Sequence, residues 1–132
     1  MEQNQQEFIL KLSMFEQQMN QIQQQIQAVE NGIAELNLLN FGLEDLRGKK
    51  DLEIMAHIGK GIFARGKLTS EELVVDVGDK NFVTKSIPET KELINKQIEK
   101  LEEVKRELNE ALEKIGEEIN SVLEEANNSE NK

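Results

Sequence analysis

Apolar residues recur at alternating steps of four and three along two separate stretches of this 132-residue chain. In the first they fall at Phe8, Leu12, Phe15, Met19, Ile22, Ile26, Val29, Ile33 and Leu36. In the second they fall at Ile94, Ile98, Leu101, Leu108, Leu112, Ile115, Ile119, Val122 and Ala126. Steps of this kind draw one apolar stripe along a helix and specify a left-handed coiled-coil seam. A stripe needs cover, and each stretch is the obvious cover for the other. If the two run antiparallel, the numbers of facing residues add to a constant. Phe8 with Ala126, Leu12 with Val122, Phe15 with Ile119, Met19 with Ile115, Ile22 with Leu112, and Ile26 with Leu108 all obey one constant, as do Ile33 with Leu101 and Leu36 with Ile98. The expectation is a two-helix hairpin whose arms match in length, roughly 60 Å at ~1.5 Å per residue. Lys105 and Asn40 fall on the same pairing as its polar members. Two readings stand: Lys105 reaches for solvent and Asn40 relieves a crowded layer, or both fix the register.

The middle of the chain changes period. In Leu52–Ile58 and again in Ile62–Leu68 the apolar residues alternate, which is strand spacing, and Gly59-Lys60-Gly61 lies between them as a turn. Leu73-Val74-Val75-Asp76-Val77, the turn Gly78-Asp79-Lys80-Asn81 and Phe82-Val83-Thr84-Lys85 make a second β-hairpin. The first helix is expected from about Gln6, after a polar lead-in, to Arg47, with Gly48 as its left-handed stop. Ser86 and Glu89 form a capping box for the second, with Pro88 tolerated in its first turn and an end near Asn127 before a polar tail. The fold class is therefore α+β: a long antiparallel two-helix coiled coil joined by two β-hairpins. One domain results, with a helix over 1–47, hairpins over 48–86, and a helix and tail over 87–132.

Composition narrows function mostly by exclusion. The chain has no cysteine, so disulfides and thiolate metal sites are out, and a reducing cytoplasmic setting is expected. No apolar run approaches the ~20 residues of a membrane span, and the start MEQNQQEF lacks a secretory pattern. The net charge of −10 sits on the helices: residues 87–132 carry 13 acidic against 7 basic side chains, while 48–86 carry 6 against 7. Acidic helices repel nucleic acid and anionic membranes, whereas a nearly neutral centre suits subunit contacts. The glutamines at 17, 18, 21, 23, 24, 25 and 27 read as a solvated helix face, with prion-like association the minor alternative. The single histidine, His57, has no second histidine or cysteine to work with, and Gly59-Lys60-Gly61 lacks the spacing of a phosphate loop. No catalytic, cofactor or metal site is expected, so no enzyme. Ile9, Leu10, Met14 and Leu123 lie off the seam near its open end. They are either ordinary edge cover or a surface for apolar segments, for which Met and Leu suit loose specificity.

Helix, two hairpins, helix, with Ile22–Val29, Ala56–Phe63 and Leu73–Gly78 as the most specific segments, resembles the α-type subunits of the archaeal prefoldin (GimC) family over nearly the whole chain. His57 stands where that family more often has proline, a departure confined to the first turn. Four strands rather than two separate the chain from β-type subunits. The resemblance implies an intersubunit β-barrel platform built by two α-type and four β-type subunits, with six coiled coils holding unfolded proteins at their tips. It implies ATP-independent holding and delivery to a group II chaperonin. On that basis Ile54, Ile58, Ile62, Val75, Val77 and Phe82 are expected at subunit interfaces, and Phe8, Ile9, Leu12, Phe15, Val122 and Leu123 at clients. Two other readings stay open: a filament-forming relative that polymerises through its hairpins, and a coiled-coil adaptor for one folded partner.

Overall fold

The computed structural model describes residues 2–130 as α1 (Glu2–Glu44), β1 (Glu53–Gly59), β2 (Ile62–Lys67), β3 (Leu73–Asp76), β4 (Phe82–Lys85) and α2 (Ile87–Glu130). Helix α1 starts earlier than the expected Gln6, because its polar lead-in of Gln and Glu consists of good helix formers. It also leaves α geometry before Arg47. The amides of Leu46 and Arg47 bond to the carbonyls three residues back, at 3.1 and 3.2 Å, so the last turn tightens. Gly48, at φ 72°, then turns the chain, and its N–H donates to the Glu71 carboxylate at 2.6 Å. Helix α2 continues past Asn127 into the stretch expected as tail; Asn131 and Lys132 lie outside the described residues. At its start Ser86 Oγ accepts from the Glu89 N–H at 3.2 Å and donates to the Glu89 carboxylate at 3.0 Å. That is a capping interaction between the two expected residues.

Two compact units make up the chain: residues 1–33 with 100–132, and residues 34–99. In the first, Phe8, Leu12, Phe15, Met19, Ile22, Ile26, Val29 and Ile33 are half-buried, as are Leu101, Leu108, Leu112, Ile119, Val122 and Ala126, while Ile115 is buried. The helices pair antiparallel here. A Cβ on Gly32 would touch Leu101 Cδ1 at 3.4 Å, and Lys105 Nζ lies 3.2 Å from Glu30 Oε1. Both contacts fall within one position of the pairing read from the spacing.

The second unit holds most of the core: Ile87 (2% exposed), Ile94 and Ile98 are buried, and Leu36, Asn40 and Leu43 of α1 are half-buried, as is Leu46 in the turn that follows. Thr90 is buried with them and donates its hydroxyl to the Ser86 carbonyl at 2.8 Å, which removes the cost of hiding it. The strands of this unit form two separate two-stranded antiparallel sheets, β1–β2 and β3–β4, with no closed barrel among the described residues. Among the described residues no helix is long and apolar enough to cross a membrane.

Candidate functional site

The first candidate surface lies where α1 begins and α2 ends. Of the six residues expected there, Phe8, Leu12, Phe15 and Val122 are half-buried in the seam. Ile9 is 64% exposed and Leu123 is also exposed. The structure thus splits the set into seam members that shape the end and a pair that faces water. Leu10 (63% exposed) and Met14 join the exposed group, stacked one turn apart on α1. Their off-seam spacing was the signal for them.

The hairpins form the second candidate surface, and their registers sort the residues expected at interfaces. In the first hairpin Ile54 faces Gly66, Ala56 faces Ala64 and His57 faces Phe63, but Gly59 pairs with Ile62, which leaves Ile58 as a bulged extra residue. Lys60 and Gly61 both have positive φ, the two-residue turn that right-twisted strands favour, and Gly59 takes a φ of 151° beside the bulge. Directly opposed residues share a face, so Ile54 and Ile62 lie with Ala56, Ala64 and Gly66 on one side. Met55, His57, Phe63 and Arg65 share the other, where the rings of His57 and Phe63 meet at 5.0 Å.

In the second hairpin Val75 faces Val83 and Asp76 faces Phe82, so Val75 and Phe82 lie on opposite faces. Val77 lies just past the strand, its N–H bonded to the Asn81 carbonyl at 2.9 Å. Ile54 and Val75 are half-buried, and Ile58, Ile62, Val77 and Phe82 are exposed. Each sheet has only two strands, so every strand presents an unpaired edge. Isolated hairpins of this kind are marginal in water, and open edges invite pairing with another chain.

Polar contacts punctuate the seam. Asn40 Nδ2 donates to Asn95 Oδ1 at 2.7 Å, while Asn40 Oδ1 is buried with no partner among the described residues. Lys105 reaches the Glu30 carboxylate at the edge of the seam, with both side chains partly open to solvent. Glu30 and Asn95 could not be found from spacing, because each lies one position off the apolar stripe. Near the end of α1, Lys91 Nζ donates to Glu44 at 2.6 Å and Arg47 lies 3.2 Å from the same carboxylate. The Lys91 hydrogen bond, helped by the charge of Arg47, holds the Glu44 carboxyl below its ordinary range. Among the described residues no group of three or more His, Cys, Asp or Glu gathers as metal ligands do.

Known proteins share this arrangement. Residues 11–132 match the prefoldin subunit family. A curated relative, prefoldin subunit alpha from Methanobrevibacter smithii, is 35% identical over 83 residues, which cover 62% of this chain and 57% of that protein. The chain therefore aligns with little more than half of that relative's length. The filamentous PFD of Methanocaldococcus jannaschii, solved by cryo-EM, superposes with a TM-score of 0.79 over 87% of this chain and 97% of that one, at 19% identity. That likeness is one of fold. With most of its length matched, from the middle of the first seam's opening turns to the end of α2, the chain belongs to the prefoldin family.

Proposed function

We propose that this chain is an α-type subunit of a cytoplasmic, ATP-independent chaperone that holds unfolded proteins at the apolar end of its two helices. The observation that carries this reading is the exposure of Ile9, Leu10, Met14 and Leu123 together at that end. Covering an exposed aliphatic side chain is worth about 1.5–3 kcal/mol each when complete, enough for several weak grips to hold a chain that offers apolar segments. Flexible Met and Leu side chains repack against varied sequences, which suits loose selection. No nucleotide chemistry is needed, since release follows from the weakness of each contact.

The hairpins are where partners would join. Four strands with open edges and exposed Ile58, Ile62, Val77 and Phe82 support joining to β-type sister subunits, two α with four β, as the family resemblance implies. Delivery of the held protein to a group II chaperonin belongs to the same reading.

The test uses the full chain assembled with a sister subunit. A protein diluted from denaturant is followed by light scattering, with and without the variant Ile9→Ser/Leu10→Ser/Met14→Ser/Leu123→Ser. The expected result is lost suppression of aggregation at unchanged native mass. Full suppression by the variant would end the proposal. A second reading, self-assembly into filaments, draws support from the filamentous state of the M. jannaschii protein with the same fold. Native mass of this chain alone distinguishes the two: open-ended polymers favour the filament, and a closed species formed only with the sister subunit favours the chaperone.

A further inference from the structure

The two edges of the seam differ where α1 begins and α2 ends. Ile9 follows the seam residue Phe8, Glu16 follows Phe15, Gly116 follows Ile115 and Leu123 follows Val122. In an antiparallel pair such followers line one edge, which sets Ile9 beside Leu123 and Glu16 beside Gly116. Lys11, Glu118 and Glu125 each precede a seam residue and line the other edge. Within residues 3–20 and 113–128 the only cations are Lys11 and Lys114. Lys114 stands one turn before Glu118, so both cations belong to the second edge. The first edge has none.

On that first edge the exposed Ile9 and Leu123 stand with Glu16 and Glu113, while Glu117 and Glu124 lie on the adjoining back of α2. All four carboxylates are exposed, and none is in an ion pair among the described residues. The last turn of α2 carries no basic residue either, so the negative end of that helix is left uncompensated. Uncompensated negative charge around an apolar pair selects an occupant that is both apolar and cationic. A second copy of this end carries the same charge and is repelled. Gly116 supplies room. A glycine inside a helix weakens it, and a Cβ at Gly116 would meet nothing within 4 Å, so packing within the chain does not demand one. The missing side chain opens a gap in the edge, where the aliphatic stem of a lysine or arginine can lie with its charge at the carboxylates.

We infer that this edge binds unfolded segments in which apolar residues adjoin lysine or arginine. The apolar residues cover Ile9 and Leu123, the stem of the cation crosses Gly116, and its charge sits among Glu16, Glu113 and Glu117. The inference rests on the holding of unfolded proteins proposed above, and it names the class of segment that is held.

The test uses the full chain assembled with a sister subunit and two unfolded peptides that share one leucine-rich core. One core is flanked by lysines and the other by glutamates. Each carries a photoreactive diazirine, and adducts are counted by mass on this chain alone, so the sister's end does not enter the count. The expected half-saturation for the lysine-flanked peptide is about tenfold or more below that for the glutamate-flanked one, as a few exposed ion pairs supply. Glu16→Gln/Glu113→Gln/Glu117→Gln brings that ratio close to one, whereas Glu7→Gln/Glu118→Gln/Glu125→Gln on the other edge leaves most of it. Gly116→Leu favours the helix, so its weaker capture of the lysine-flanked peptide cannot come from unfolding. Equal capture of the two peptides would overturn the inference and leave the holding of unfolded proteins intact. Capture of neither would end both. A ratio that falls as far with the other-edge variant, or is indifferent to Gly116→Leu, would also overturn it.

Discussion

Residues 1–33 with 100–132 and residues 34–99 handle apolar surface in opposite ways. In the first unit the seam residues are half-buried or buried layer after layer, and the exposed aliphatic side chains of α1 cluster at Ile9, Leu10 and Met14. In the second, a tight group of Ile87, Ile94 and Ile98 sits in the same unit as hairpins that expose Met55, Ile58, Ile62, Phe63, Val74 and Phe82. A monomeric domain seldom leaves so much apolar surface open. The helical unit thus covers most of its apolar stripe within one chain, whereas the hairpin unit buries a core for its helices and leaves the apolar residues of its strands open.

The two kinds of apolar residue in the unit 34–99 should respond very differently to truncation. Ile94→Ala removes a buried side chain and should cost about 2–4 kcal/mol in urea unfolding of the isolated chain, since a cavity remains where it packed. Val74→Ser removes an exposed one and should change the same midpoint by less than about 0.5 kcal/mol, while it weakens assembly with sister subunits. If Val74→Ser destabilises the isolated chain as much as Ile94→Ala does, the hairpin faces are internal packing and the contrast fails.

A smaller effect sharpens the comparison inside the seam. Asn40 lies between Leu36 and Leu43 on the half-buried side of α1, and its side-chain oxygen is buried without a partner among the described residues. Asn40→Leu should raise stability by about 1–2 kcal/mol, because an unsatisfied polar atom is removed and apolar area is gained. The same change should loosen the specification of pairing, as loss of a buried asparagine does in coiled coils. Cysteine pairs placed at Leu12 with Val122, and at Leu12 with positions one turn away, would then exchange more readily. A destabilised Asn40→Leu would mean that the Asn95 hydrogen bond outweighs the cost of the buried oxygen.

How far these features could be read in advance depended on whether they live in a period. The seam did: every stripe residue from Phe8 to Leu36 is half-buried, because burial in a two-helix pair repeats with the helix itself. Helix ends did not, since Gln and Glu continue a helix without marking its limits, so α1 begins at Glu2 and α2 runs to Glu130. Alternation also failed locally. Ile58 reads as the next member of the Ile54–Ala56 face, yet the positive-φ turn at Lys60-Gly61 forces a bulge that takes it out of register. Val75 and Phe82 sit on opposite faces because strand pairing, not parity along the chain, decides which residues meet across a hairpin. Ile87 is buried at the start of α2, between Ser86 and Glu89 of the capping box and ahead of the stripe that opens at Ile94. Leu38, Leu39 and Phe41 lie off the seam and are exposed.

The smallest effect concerns where α1 ends, between the covered helix face and the open hairpins. Glu44 is held below its ordinary value of 4.5 first by the Lys91 hydrogen bond and then by Arg47. A carboxyl whose folded value is depressed binds fewer protons folded than unfolded near that pH, so it stabilises the fold above its ordinary value. That contribution fades as pH falls through the lowered value. Glu44→Gln should therefore melt slightly below the parent at pH 7, and the two melting curves should converge once the pH has fallen through the lowered Glu44 value. Salt should shrink the difference, because the carboxylate is open to solvent and its ion pairs are screened. A gap that stays constant from pH 7 to pH 3 would show that Glu44 acts through packing and not through its charge, and the boundary between the two surfaces would then owe nothing to Lys91.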